Sequence, residues 1–231
     1  MKFRSTFTLS VLLVFYFISA SAQEVKINNN FVIESDGTQR LDGTATVYDD
    51  LMVYPDATTK GQSNAPVWTK FTANGGSQGV FLWGFDPLTE QELYFTVQIP
   101  HKYKLGTPLY PHVHWTTLTG IPNGSNVVWG LEYNIIKIGE VFSSTTTIIN
   151  TNSIITPIGT PSSVRQHLIS AFPEIGAGTA PNDVNISSVI MCRLYRIAAD
   201  SRDTFANPVF LLGFDFHYEI DTEGSRTQYV K

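Results

Sequence analysis

The sharpest chemical feature of the sequence is Pro111-His112-Val113-His114-Trp115. Two histidines at i and i+2 of a strand point to one face, about 6.5–7 Å apart along the chain. Neutral imidazoles so placed can chelate zinc, copper, iron or nickel. His217 lies between Asp215 and Glu219 and offers a third ligand, giving either a three-histidine site or a site of two histidines and a carboxylate for a divalent metal. The same pattern equally describes a hydrogen-bonded polar sheet face or polar packing at a subunit seam. Both readings stay open, because the sequence does not say that the strands carrying His112, His114 and His217 are neighbours. A copper site of the histidine-brace type is set aside: it needs an N-terminal histidine, and the expected mature N-terminus is Gln23.

Other constellations are weaker. Gly75-Gly76-Ser77-Gln78-Gly79 matches G-x-S-x-G. A nucleophile elbow needs a strand before it and a helix after it. Here a turn at 72–75 precedes it and the strand-like Val80-Phe81-Leu82-Trp83 follows, so it reads as a glycine-rich turn. Carboxylates at Asp49, Asp50, Asp86, Glu90, Glu92, Glu132, Asp215, Glu219 and Asp221 supply no spacing rule that pairs two of them as a glycosidase requires. Asp86-Pro87 is a turn starter. Among the tryptophans, Trp115 and Trp129 alternate with polar neighbours and read as core, with Trp83 a further candidate for contact. Trp68 sits in a loop-like stretch and is the candidate ligand-binding residue, for instance as a sugar platform. Cys192 lies in the apolar run 189–194 and reads as a small buried hydrophobe. The sequons at Asn123 and Asn185 are weak signals.

The elements that would position these residues are strands. Period-2 patterns dominate. Residues 92–100 put Leu93, Phe95, Val97 and Ile99 on one face, and residues 110–117 set Val113 and Trp115 opposite His112 and His114. Residues 126–136 align Val127, Trp129, Leu131, Tyr133 and Ile135. In 210–221, Phe210, Leu212, Phe214, Phe216, Tyr218 and Ile220 share a face. Further strands are expected at 79–85, 144–149 and 188–197. One short helix is expected over 160–172, capped by Thr160-Pro161-Ser162-Ser163 with Val164, His167, Leu168 and Ala171 at helical spacing. Gly176 to Pro181 reads as a loop. The expected fold is an all-β antiparallel β-sandwich, jelly-roll-like. Its domain comprises residues 46–231, preceded by an extended arm at 23–45 with room for one hairpin. His112, His114, Glu132 and His217 would share a polar sheet face that serves packing, assembly or an ion.

Composition sets the outer bounds. A 231-residue chain with 42% hydrophobic residues, 13% aromatics and one cysteine can build a core and cannot form an internal disulfide. The formal net charge of −5 argues against a nucleic-acid-binding surface. Lys2 and Arg4, the apolar stretch 7–18 and Ala20-Ser21-Ala22 together read as a signal peptide over residues 1–22. Its apolar core is shorter than the roughly 20 residues that span a bilayer, and no later segment would cross a membrane. The expected location is secreted or periplasmic, or within a virion if the leader is misassigned.

Several segments together resemble a family of phage-encoded virion structural proteins, of the head or tail appendage and decoration kind, also found in prophage-bearing bacterial genomes. They are Asp36-Gly37-Thr38, the run 45–51, Ser77-Gln78-Gly79-Val80-Phe81, Glu92-Leu93-Tyr94-Phe95, Pro111 to Trp115, the run 129–133, Cys192-Arg193-Leu194, and the closing run 214–221 with Gly224-Ser225-Arg226 and Tyr229-Val230-Lys231. The resemblance implies a non-catalytic structural part, such as a head or tail appendage, decoration or receptor-contact protein. With the leader and the exposed edges of a sandwich, the expectation is an exported interaction protein that self-associates as a homo-oligomer, a trimer being one symmetry open to it, with no cofactor beyond a divalent metal at the histidines. A leader departs from the virion pattern and suggests an exported bacterial relative. The alternatives are a secreted carbohydrate-binding module contacting cell-surface glycan, with protein as the other surface partner, and a metal-dependent enzyme using His112, His114 and His217.

Overall fold

The alternating segments become strands that pair antiparallel throughout. The computed structural model describes residues 23–28, 30–122, 124–151, 164–176 and 184–231. The expected leader at 1–22, the cap at 160–163, residues 177–181 of the expected loop, and Asn123 lie outside the described residues. In chain order the strands are β1 (Val25–Ile27), β2 (Phe31–Ile33), β3 (Gln39–Leu41), β4 (Val47–Val53), β5 (Thr59–Lys60), β6 (Val67–Thr72) and β7 (Val80–Phe85). They continue with β8 (Glu92–Gln98), β9 (Leu109–Thr117), β10 (Trp129–Ile136), β11 (Thr147–Asn150), β12 (Leu168–Ala171), β13 (Val189–Arg196) and β14 (Val209–Ile220).

Two sheets carry the core. One runs β11-β10-β13-β8-β5; the other runs β12-β9-β14-β7-β6, with β4 pairing the distal half of β14. From β7 onward the chain crosses between the sheets at every connection except β10–β11, so that β7-β14-β9-β12 and β8-β13-β10-β11 form the facing layers. This strand order is that of a jelly roll, two interlocked Greek keys. The layers meet through Phe95 and Phe214, 5.1 Å between ring centroids, and through Phe85 and Trp129, 5.0 Å apart. Leu93, Val113, Trp115, Trp129, Leu131, Leu194 and Phe216 are buried there. Each such side chain contributes about 1.5–3 kcal/mol on leaving water. Residues 25–41 form a small separate sheet, β1-β2-β3, joined to the end of β14 by Leu41 N–H donating to the Asp221 carbonyl at 2.7 Å.

Two sequence expectations are corrected. Within the expected helix over 160–172, the described residues contain a turn at Val164 and Arg165 and then strand β12. Buried Leu168 and Ser170 alternate with exposed Ile169 and Ala171, and the strand pairs with β9. The indole N–H of Trp115 donates to Ser170 Oγ at 3.0 Å. These distant partners outweigh the helical spacing, which is local. The second correction concerns β14. Its register against β9 shifts between Leu211 and Gly213. One extra residue inverts which side chains face inward. The core therefore takes Val209 and Leu211 before the bulge, then Phe214, Phe216 and Tyr218 after it. Phe210 turns to the opposite side of the sheet, 6.0 Å from Phe71.

Candidate functional site

Strands β9 and β14 lie side by side at the centre of their sheet, with Asp215 opposite His112 and Gly213 opposite His114. Because Val113, Trp115, Phe214 and Phe216 fill the core, His112, His114, Asp215 and His217 project from the outward face. The three histidines singled out by spacing are thus brought together. Glu132 is not with them: it stands on β10 in the other sheet, 3.3 Å from Arg193 and hydrogen-bonded by Thr146. The expected four-residue polar face is corrected to this extent.

Asp215 is the centre of the cluster. Its side chain is 1% exposed, beneath three imidazoles. Its Oδ2 lies 3.3 Å from His114 Nε2 and 3.1 Å from His217 Nε2, and its Oδ1 lies 3.7 Å from His112 Nδ1. Strand β4 adds Asp50, whose Oδ1 is 3.0 Å from His217 Nε2. Behind the cluster, His167 Nε2 and His114 Nδ1 share a hydrogen bond of 2.8 Å. Burial first, and then the charge of His217, holds His112 below the usual histidine value, against the pull of Asp215. Burial, then His114, does the same for His167. Neutral imidazole retains the lone pair that a metal needs. His112, Asp215 and His217 present ligand atoms that all lie within 4.8 Å of one another. Sequence reasoning missed His167, which is absorbed there into a helix. Asp50 is visible only as one carboxylate among many, and Asp215 only as the neighbour of His217 along its strand.

A second candidate lies on the opposite, core-facing side of the same sheet, out at its edge. Trp68 on β6 pairs directly with Trp83 on β7, and Lys70 pairs with Phe81. Trp83 packs against the core and donates its indole N–H to the Pro55 carbonyl at 3.0 Å. Trp68, one strand further out, is 46% exposed. Its ring lies 4.6 Å from that of Trp83 and stacks at 6.2 Å on Phe81. Lys60 Nζ sits 5.5 Å above Trp83.

The remaining candidates take ordinary places. Trp115 and Trp129 are core, and Cys192 is buried. Ser77 sits in the turn between β6 and β7, its Oγ accepting from Asn74 N–H at 3.1 Å. Asp86 Oδ1 accepts from the backbone of Leu88 and Thr89, as a turn starter does. Glu90, Glu92 and Glu132 all converge on Arg193, at 2.6, 2.5 and 3.3 Å. Glu219 pairs with Lys104 at 2.7 Å, Asp49 with Lys102, and Asp221 with Lys231.

No protein-family model matches the chain, and no curated protein matches it. Among solved structures it is similar to CBM28, a carbohydrate-binding module specific for non-crystalline cellulose. That match is 11% identical with a TM-score of 0.30, covering 73% of this chain and 89% of the other. It is also similar to TmCBM61, solved in complex with β-1,4-galactotriose, at 13% identity and a TM-score of 0.25, covering 75% and 88%. At these values the likeness assigns neither a ligand nor a residue. The fold rests on the strand order, and any function rests on the side chains.

Proposed function

We propose that the protein is an exported, non-catalytic binding module that holds glycans on the aromatic face of β6 and β7. The observation that carries this reading is Trp68. A large ring stands 46% exposed on an edge strand, braced by Trp83 and Phe81 instead of being folded into the core. The face of an indole carries negative charge density and attracts the C–H face of a sugar ring. Braced aromatic rings offer contact area at little conformational cost. Lys60 and Lys70 beside the rings supply donors for sugar hydroxyls. A jelly roll hosts lectins and viral coat proteins alike, so it does not choose between a glycan and a protein partner. The resemblance to virion appendage proteins also points to contact over turnover, and it names no binding residue. Self-association and export are part of the same reading, checked by light scattering and by the mass of the secreted chain.

The test is affinity electrophoresis of the purified chain through soluble polysaccharides, among them a cellulose derivative and a β-1,4-galactan, backed by a glycan array. Retardation by at least one glycan, lost in Trp68→Ala with the melting temperature unchanged, is the expected result. Migration identical in every gel, with a blank array, refutes the proposal.

A further inference from the structure

The geometry points to a divalent transition-metal site, zinc being the ion proposed, at His112, His114, Asp215 and His217. This site is independent of the glycan face, because the two project from opposite sides of one sheet. Its first support is an uncompensated charge. Asp215 is 1% exposed, and its Oδ1 has no hydrogen-bond partner among the described residues. The buried His112 Nδ1 and His114 Nε2 have none either, although both stand at ion-pair distance from that carboxylate. Buried polar atoms normally find partners, and buried charges are normally paired or coordinate metals. Here one carboxylate and two imidazole nitrogens converge on the same space and satisfy none of one another. A cation beside Asp215 would engage the carboxylate and His112, and His114 once its ring turns towards it.

The second support is spacing. Ligand atoms about 2.0–2.2 Å from a tetrahedral zinc stand about 3.3–3.6 Å apart. His112 Nδ1 stands 3.7 Å from Asp215 Oδ1 and His217 Nε2 stands 3.1 Å from Oδ2, and ligand atoms of these three residues all lie within 4.8 Å of one another. His114 Nε2, 3.3 Å from Oδ2, lies outside that group and has to turn towards it to fill a fourth position. The donor set is imidazole and carboxylate without thiolate, which suits zinc and its neighbours in the first transition row.

The third support lies behind the ligands. His114 Nδ1 is hydrogen-bonded to His167 Nε2 at 2.8 Å. If Nδ1 carries the proton, Nε2 is left with its lone pair towards Asp215, which is how outer hydrogen bonds orient metal-binding histidines. His167 is thus a positioning residue. His217, 39% exposed beside the exposed Asp50, leaves a path for the ion from solvent. The ligands stand on two paired central strands, with Asp50 on a third, so the ion would clamp β9 to β14 and leave the His217 side open to water or another ligand.

The experiment uses the full secreted chain without a histidine tag, stripped with chelator and titrated with zinc by calorimetry. Cobalt absorption serves as a second reading of geometry. One ion per chain, an intense tetrahedral cobalt band and a rise in melting temperature with zinc are expected. His217→Ala, at a partly exposed position that folding tolerates, should weaken binding about 100-fold, and His167→Ala about 10-fold. Asp215→Asn should abolish binding, with circular dichroism confirming the fold. Absence of saturable binding, or affinity unchanged in His217→Ala, overturns the site.

Discussion

Arg196 and Asp203 meet inside the sandwich as a two-pronged ion pair with both side chains buried. Arg196 Nε donates to Asp203 Oδ2 at 2.9 Å and Nη2 donates to Oδ1 at 2.7 Å. The guanidinium also donates to the carbonyls of Asn207, at 2.9 Å, and Phe205. Asp203 Oδ2 in turn accepts from Val128 N–H at 3.1 Å. One buried pair therefore ties the end of β13 to the connection into β14 and to the residue before β10. Removing one partner strands the other charge in the core. Arg196→Met should cost about 3–5 kcal/mol. Arg196→Met with Asp203→Leu should recover only part of that, because the two carbonyls and the Val128 amide lose their partners as well. Urea denaturation of the two variants checks the order; a single variant as stable as the wild type contradicts it.

Gly130 faces Tyr195 across β10 and β13, and a Cβ there would lie 2.3 Å from the ring carbon Cζ. The ring cannot swing away cheaply, because the Arg193 guanidinium lies over it at 3.9 Å. Gly130→Ala should destabilise the fold by about 1–3 kcal/mol through overpacking. Tyr195→Leu in the Gly130→Ala background should return part of the loss, whereas Tyr195→Leu alone should not stabilise. Thermal melts of the three variants decide it.

How much of this was legible depends on whether the signal is local. The run Leu93, Phe95, Val97 declares its buried face by alternation, and so do Val113 and Trp115 against His112 and His114. Strand order is not declared, because neighbours such as Asp215 and His112 stand far apart in the sequence and meet only through register. The histidine cluster was half visible for that reason: two spaced pairs, His112 with His114 and Asp215 with His217, could be named, but not their meeting. The bulge at Leu211 and Gly213 has no sequence mark strong enough to reverse the expected face of Phe210. His167 was hidden by a helical pattern that pairing with β9 overrides. Trp68 reads as loop in the sequence but stands on strand β6, and its bracing by Trp83 and Phe81 needed the β6–β7 register.

Asp49 links acid stability to β4 and β14. The ion pair with Lys102 is the main cause holding its carboxyl below the usual aspartate value; burial opposes this, and the Tyr218 hydroxyl, donating to Oδ2 at 2.8 Å, adds to it. A carboxyl with a lowered folded pKa stabilises in full above its unfolded value of about 3.9 and loses that contribution as pH falls through its folded value. Lys102→Ala should therefore be less stable than wild type at pH 7, by about 0.2–1 kcal/mol for a partly exposed pair. The gap should close once the pH drops well below about 4. Melting temperatures of both proteins across pH 2–8 test this; a gap that widens on acidification contradicts it.

Cys192 is the chain's single thiol, and it is buried on β13 within the core. Burial alone pushes its pKa far above the ordinary cysteine range. The thiolate is the nucleophile that attacks a disulfide reagent, so both the missing charge and the missing access protect it. The folded protein should not react with a disulfide reagent at pH 8 on the time scale that labels a free peptide cysteine in seconds to minutes. Reaction then requires opening of the β8-β13-β10 layer, so its rate should rise with urea in step with global unfolding measured by tryptophan fluorescence. Cys192→Ala should leave the far-ultraviolet spectrum unchanged and remove the signal entirely. Rapid, stoichiometric labelling of the native chain would mean that this layer opens locally, below the free energy of the whole fold.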